Sequence, residues 1–483
     1  MPVHMDTAIR FECADKSLQR LWEDAEKACL GNLKEFGPDR VLTEGGGYRK
    51  IWLETQPMGG EMYALHDLEA AANNTVLFLK HQREDGRLPG SIEYKDGRQI
   101  PQFDKIQGFC LPWHALNLYY LMGEDRDYLQ LLRDALIRFD EYLWKRRDSN
   151  GDGILESFCV YDTGEDKAVR YGDAPCWWPH EEAPQGYQVV PMGSMDVTSW
   201  SYAARDTLSA ISLILKDGKA DQWRALADKC ALSIRDKLWD ESRGACFDLD
   251  HAGKRVDVLG HQTMRCMYHG SLSQRMADRF VRKHLLNPAE FWTALPLPST
   301  SVSDPAFVNA PENNWSGQCE GLTFQRAILA LEHYGYDALI PEIGNRLFKA
   351  VIDGGYRFTQ QFDPFTGKIS LVSRETHEPA GPDCDDIQDD YGPTALSCMA
   401  YLMEMGGIRL EMGRVRFSAL MSAPFLCEAK WGGRTLKLES DGSSFAASIG
   451  GKTAAEGKCG QRVLTDLNGN VLKAQTIDTN RYR

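Results

Sequence analysis

The 483-residue sequence lacks several features that would settle its class at once. It has no CxxC pair and no Cys/His ligand spacing. Its 13 cysteines are scattered and odd in number, so neither a disulfide framework nor a structural zinc site is indicated. It has no excess of positive charge. The 55 Lys and Arg against 69 Asp and Glu leave a formal charge of −14, which opposes the counterion release that drives binding to nucleic acid or anionic lipid. Neither a nucleic-acid partner nor a membrane partner is expected. No segment approaches the roughly 18 apolar residues of a membrane span, and "MPVHMDTAIRFECADKSLQRLW" carries no apolar run of signal-peptide length. With the unpaired thiols, this makes a cytoplasmic location the expectation, although a leader already removed would leave the same picture. There is no low-complexity linker, and the 11 histidines form no compact motif.

What is present is ordinary globular composition, 43% hydrophobic and 26% charged, in a chain longer than one hydrophobic core usually supports. Helical patterns come in pairs. "SLQRLWEDAEKACLGNLKEF" and "GGEMYALHDLEAAANNTVLFLKHQ" place apolar residues three and four apart, so each predicts an amphipathic helix. The pairs continue with "IQGFCLPWHALNLYYLMG" and "RDYLQLLRDALIRFDEYLWKRR", then "VTSWSYAARDTLSAISLILK" and "DQWRALADKCALSIRDKLW". Two weaker pairs follow, and "GPTALSCMAYLMEMG" is a late helix whose partner is sought at the N-terminus. About six hairpins separated by long irregular loops predict a mainly α fold, an (α/α)6 barrel with its loops crowding one mouth. After about Gly407, short alternating runs around Gly-Gly and Asn-Gly turns predict a small β-rich region. The expected division is residues 1–408 for the barrel and 409–483 for the β-rich domain.

Two loops carry the charge patterns of interest. In "RRDSNGDGILESF", Asp148, Asn150 and Asp152 stand at alternate positions as in the first half of a calcium loop, but Cys159 holds the place of the bidentate Glu. An Asx-rich turn is the better reading. In "DTGEDKAVRY", Asp162, Glu165 and Asp166 precede Arg170 in a segment without periodicity.

The succession "DSNGDGILESF", "DTGEDKAVRY" and "GSMDVTSWSYAARDTLSAI", continued by "FWTALPLPSTSVSDPAF", "NNWSGQ" and "FTQQFDPFTG", resembles the inverting (α/α)6 six-hairpin glycosidases. These include trehalases, processing α-glucosidases and mannosylglycerate hydrolases, with some likeness to α-L-rhamnosidases. The resemblance spans roughly residues 40 to 405. It implies a glycoside hydrolase, exo-acting and inverting, that takes a small carbohydrate or glycoside and needs no metal or organic cofactor. It places the general acid on Asp166 and a substrate-binding Arg on Arg170, with Trp177 and Trp178 as the apolar wall. Such a wall would raise the acid's pKa by desolvation. Asp196 then opens a helix, where an N-cap role suffices.

Two departures from the pattern matter. Gln360 stands where the family carries the Glu that activates water, and an amide cannot take that proton. Glu320, at the start of an inner helix, is the relocated base implied by the rhamnosidases' Trp-Glu pair. Glu54 and the run Asp385, Asp386, Asp389 and Asp390 are further candidates. Glu54 and Thr55 also replace the family's Arg and Asp sugar clamp, so a different sugar is implied. Trp52, Glu54, Gln56, Gln107, Trp315, Gln360 and Tyr391 are the remaining candidates for the sugar cleft. A non-hydrolytic sugar-binding protein, or a carbohydrate epimerase or lyase, is the competing reading. The sequence leaves the oligomeric state open.

Overall fold

Helix starts are set by short polar side chains. Asp15, Asp67, Asp125, Ser194 and Ser273 each sit in extended backbone immediately before a helix and accept backbone N–H groups of its first turn. The computed structural model describes residues 5–312, 315–381, 384–479 and 481–482. Asn313 and Asn314 of the "NNWSGQ" motif, with Pro382 and Asp383 of the late acidic run, lie outside the described residues.

The helices are α1 (Lys16–Gly31), α2 (Gln56–Met62), α3 (Leu68–Lys80), α4 (Pro112–Leu121), α5 (Arg126–Arg146), α6 (Met195–Leu215), α7 (Ala220–Ser233), α8 (Gln262–His269), α9 (Gln274–Phe280), α10 (Gly321–Glu332), α11 (Leu339–Asp353) and α12 (Gly392–Gly406). Even-numbered helices touch in sequence, α2 to α4, α4 to α6, α6 to α8, α8 to α10 and α10 to α12, and α12 returns to α2. Odd-numbered helices pack outside them, and α1 lies against α11 and α12. Burial differs most between α8 and α7, although α3 is covered on nearly all sides as well. All eight residues of α8 are buried, whereas α7 buries only Ala227 and Cys230.

The continuous helix expected from Gly59 is broken. Asp67 accepts the N–H of Ala70 at 3.0 Å and starts α3, so the pattern divides into an inner helix and an outer one. No helix among the described residues is long and apolar enough to cross a membrane.

The chain is thus mainly helical with a strand-rich C-terminal region, which begins at Ile408. One antiparallel sheet has the order Ile408–Glu411, Arg414–Ala419, Gln461–Thr465, Val471–Thr476. The second runs Ala8–Cys13, Phe425–Trp431, Arg434–Ser440, Ser444–Ile449, Lys452–Lys458. The tight turn at Gly432-Gly433, both at positive φ, joins two of its strands, as a Gly-Gly hairpin requires. Its edge strand comes from the N-terminus. Ala8–Cys13 pairs with Phe425–Trp431 from Ala8↔Lys430 to Cys13↔Phe425, so an N-terminal segment assigned to the barrel completes the C-terminal sheet. At the joint, buried Glu404 at the end of α12 meets Arg409, Arg416 and Arg462.

Candidate active site

The segments preceding α2, α4, α6, α10 and α12 meet in one pocket of about 150 Å³. The first turn of α10 and the N-cap of α12 reach it through Leu322 and Tyr391. Larger hollows exist, one of about 260 Å³ beside His269 and His333 at the C-terminal ends of α8 and α10, and one on the C-terminal strands lined by Glu439, Asp441 and Glu456, whose side chains are exposed.

One wall of the pocket is the loop carrying Asp166 with the turn carrying Glu54. The Gly108 N–H donates to the carbonyl of Asp162 (2.7 Å), and Gln107 Nε2 donates to Glu54 Oε1 (2.9 Å). Gly164 (φ +70) lies so close that a Cβ there would meet Glu54 Oε2 at 1.9 Å; only glycine suits the position. Asp166 is pinned through its main chain, its carbonyl accepting the N–H of Trp315 (2.9 Å). Ser316 Oγ bridges the next residues, donating to the Lys167 carbonyl (2.8 Å) and accepting from the Val169 N–H (3.1 Å). Asp166 is half-buried and lines the cavity.

The rest of the lining is built from segments distant in sequence. Gly45 bridges to Tyr391, the Gly392 N–H donates to the carbonyl of Glu44 (2.7 Å), and Tyr391 Oη donates to Glu44 Oε1 (2.9 Å). Tyr48 Oη donates to Gln360 Oε1 (3.1 Å), and Gln388 Nε2 donates to the Gly46 carbonyl (3.0 Å). Trp52, Tyr161 and Trp315 supply apolar rings, and Lys105 Nζ lies over two of them, 5.7 Å from Trp52 and 5.9 Å from Tyr161.

Behind the Asp166 loop lies a separate ionic layer. Glu165, fully buried, accepts from His261 Nε2 (2.7 Å) and Gln262 Nε2 (2.8 Å) and pairs with Arg170 and Arg265. Arg170 also meets Asp196 (2.8 Å) and Asp248. Burial opposes ionisation of Glu165, but Arg170 and Arg265 outweigh it and hold the carboxyl well below its ordinary range. The pocket carboxylates behave oppositely. Burial, with Arg326 and Gln107 pulling the other way, leaves Glu54 pushed up to about 7. Burial raises Glu44 well above the ordinary range, and Glu54 adds to it. Burial does the same to Glu320, against the hydrogen bond from Gln361, with Asp166 adding to it.

Of the residues the sequence proposes, Asp166, Trp52, Glu54, Gln107, Trp315, Gln360 and Tyr391 line this pocket. The others lie elsewhere. Arg170 is absorbed by three carboxylates in the ionic layer. Gln56 accepts from the Trp52 N–H (2.6 Å) and so holds the Glu54 turn. Trp177 is 57% exposed, against the outer side of Tyr161, and Trp178 donates its indole N–H to the Glu182 carbonyl (2.8 Å); neither forms the apolar wall. Glu320 is fully buried, off the cavity surface, with Oε1 accepting from Gln361 Nε2 (2.7 Å). Its Oε2 has no hydrogen-bond partner among the described residues.

Asp196 is not the N-cap of α6. Ser194 is, and Asp196 pairs with Arg170 and Arg265. Asp148, Asn150 and Asp152 accept the N–H groups of Gly153, Asp152 and Ile154, as an Asx-rich turn does. In the acidic run, Asp386 and Asp389 accept from Ser373 Oγ and the Phe358 N–H, closing turns ahead of Tyr391. Glu44, Tyr48, Lys105 and Tyr161 were not anticipated. The available signal for Glu44 was its place before Gly45-Gly46-Gly47, three consecutive glycines at positive φ, which mark a backbone held in an unusual path.

The paired-helix fold and this carboxylate-lined, aromatic-walled pocket define the class: the protein is a glycoside hydrolase. Residues 61–381, more than half of the chain, match the model of the mannosylglycerate hydrolase MGH1-like glycoside hydrolase domain, and the chain belongs to that family. Solved structures share the fold at low identity. The Thermus thermophilus GH63 mannosylglycerate hydrolase in complex with glucose is similar at 16% identity and TM-score 0.61, over 79% of this chain and 99% of that one. Neutral trehalase from Saccharomyces cerevisiae is similar at 14% and 0.57, over 79% and 80%. The α-L-rhamnosidase from Dictyoglumus thermophilum is similar at 14% and 0.59, over 92% of this chain and 44% of that one.

Proposed function

We propose that the protein is an exo-acting, inverting glycosidase for a small glycoside, with Asp166 as general acid. The observation that carries this reading is that one pocket gathers Asp166 and Glu54 from one set of segments and Glu44, anchored by Tyr391, from another. Inversion needs an acid and a base on opposite faces of the sugar, about 6.5–9.5 Å apart, so that water fits between. Asp166 protonates the leaving oxygen as the anomeric bond breaks. A second carboxylate of the pocket takes the proton of the attacking water. No metal or organic cofactor is required for these steps.

A cavity on the scale of one monosaccharide supports exo action, and aromatic rings with Gln107, Lys105 and Glu54 suit a polyhydroxylated ligand. The closed sequence of inner-helix contacts supports reading the helical part as an (α/α)6 barrel. We read 1–408 and 409–483 as its two regions, with Ala8–Cys13 lent to the second. The thirteen free thiols support a reducing, cytoplasmic setting.

The test is hydrolysis of a panel of aryl α- and β-glycosides, with the product anomer followed by NMR. Asp166→Asn should lower kcat/KM by about 10²–10⁴ on glycosides with poor leaving groups and far less on dinitrophenyl glycosides, which need no proton. Equal losses on both kinds of substrate would remove Asp166 from the acid's role.

A further inference from the structure

We infer that Glu44 is the residue that activates the water, in place of the Glu that relatives carry at the position of Gln360. This rests on the glycosidase reading above. The geometry narrows the choice by elimination. Glu54 shares the acid's wall, in contact with Gly164 two residues from Asp166, so it stands on the leaving-group side. Glu165 is bound by His261, Gln262 and two arginines behind the loop. Glu320 is fully buried and off the cavity surface, with Gln361 on one oxygen.

Glu44 alone among these lines the cavity from the side of Gln360. It is anchored by Tyr391 Oη to Oε1 (2.9 Å) and by the Gly392 N–H to its carbonyl (2.7 Å). Gln360 also lines the cavity, its Oε1 accepting from Tyr48, and an amide cannot deprotonate water.

The step balances with water as the only co-reactant. The Glu44 carboxylate takes a proton from water, and the water oxygen forms a bond to the anomeric carbon from the face opposite Asp166. The bond from that carbon to the leaving oxygen breaks, and the leaving oxygen takes the Asp166 proton. Glu44 ends protonated and Asp166 ionised, and exchange with solvent restores both.

Tyr391 is a positioning residue in this scheme. Its hydroxyl stabilises the ionised form of Glu44, so removing it favours the protonated form. The base must be ionised, and kcat/KM therefore rises with pH through the Glu44 ionisation. In Tyr391→Phe that acid limb should move to higher pH.

The experiment measures wild type, Glu44→Gln, Glu44→Ala, Glu320→Gln and Tyr391→Phe on an aryl glycoside that wild type cleaves, with and without sodium azide. Thermal unfolding confirms that each variant is folded. Glu44→Gln should lose about 10²–10⁴ in kcat. Azide should restore turnover to Glu44→Ala, where it occupies the space of the carboxyl and water, and give the inverted glycosyl azide. Glu320→Gln should retain activity within tenfold. An active Glu44→Gln, or azide rescue confined to Glu320→Gln, overturns the assignment while leaving the glycosidase reading intact. If wild type cleaves no glycoside of the panel, the glycosidase reading fails and the base with it. Should Glu44→Gln not fold, the acid limb of Tyr391→Phe decides: an unmoved limb overturns the assignment.

Discussion

Glu165 and Asp166 are adjacent in sequence and lie in opposite electrostatic surroundings. Glu165 faces inward, where Arg170, Arg265, His261 and Gln262 satisfy it and hold it ionised. Asp166 faces a cavity shared with Glu54 and Glu44, whose proton affinity burial raises. Buried carboxylates whose guanidinium partners outweigh burial are fixed charges that organise the loop, whereas Glu54, paired with Arg326 at 3.4 Å, and Glu44, for which burial wins, keep protons to exchange. The joint with the C-terminal sheet belongs to the first kind. There burial again opposes ionisation, but Arg416, Arg462 and Arg409 bring Glu404 down to about 2.

The sharpest way to break this contrast is to remove a cation from the matched layer. Arg170→Met leaves Glu165, Asp196 and Asp248 buried with Arg265 as the remaining guanidinium among them. Stranding a buried charge typically costs about 3–5 kcal/mol. Urea unfolding should show a loss of that order for Arg170→Met, while Asp166→Asn should unfold as wild type does. If Arg170→Met matched wild type in stability, the layer would not be the structural element described.

A smaller effect tests the unmatched side by linkage. Glu54 is raised from 4.5 to about 7 in the folded protein. Above pH 4.5 the unfolded chain releases a proton that the folded state keeps, so this group's contribution to stability falls as pH rises, and levels off above about 7. At about 1.4 kcal/mol per unit, the drift is roughly 3 kcal/mol. Glu54→Gln should therefore gain on wild type between pH 5 and pH 8, as measured by urea unfolding at both. Glu404 acts in reverse: its contribution is complete above the unfolded value of 4.5 and is lost as pH falls toward about 2. A Glu54→Gln advantage independent of pH would place Glu54 with the matched carboxylates.

Much of this was legible in the sequence, and the failures have physical causes. The hairpins α4–α5, α6–α7, α8–α9 and α10–α11 follow from apolar periodicity, because each helix buries one face or all of its surface within one continuous segment. The break between α2 and α3 was missed because both halves are apolar, and only Asp67 marks the new start. Asp166 was reached through the order of motifs flanking it, whereas the separation of Glu165 from Asp166 required knowing that Arg265, 100 positions on, folds behind the loop. Glu44 could not be weighed from its own surroundings. Its partner Tyr391 is 347 residues away, and a Glu before three glycines has no periodicity to signal a pocket.

The least effect is expected at Trp177, which the sequence made part of the acid's apolar wall. Its ring centroid lies 6.3 Å from that of Tyr161, and 57% of the residue is exposed, so little apolar area leaves water there when substrate enters. Of the two rings, Tyr161 is the one that lines the cavity. A surface aromatic outside the site contributes within about 0.5 kcal/mol, roughly a twofold change in an equilibrium. Trp177→Ala should accordingly leave kcat unchanged and move KM for an aryl monosaccharide by about twofold or less, whereas Trp52→Ala, which removes a ring from the cavity wall, should raise KM well beyond that. Michaelis–Menten analysis of both variants on the same substrate settles the order. A Trp177→Ala defect in kcat as large as that of Asp166→Asn would mean that the loop folds over the bound sugar, bringing the tryptophan inward. The contrast between matched and unmatched carboxylates would then have to be redrawn for the closed state.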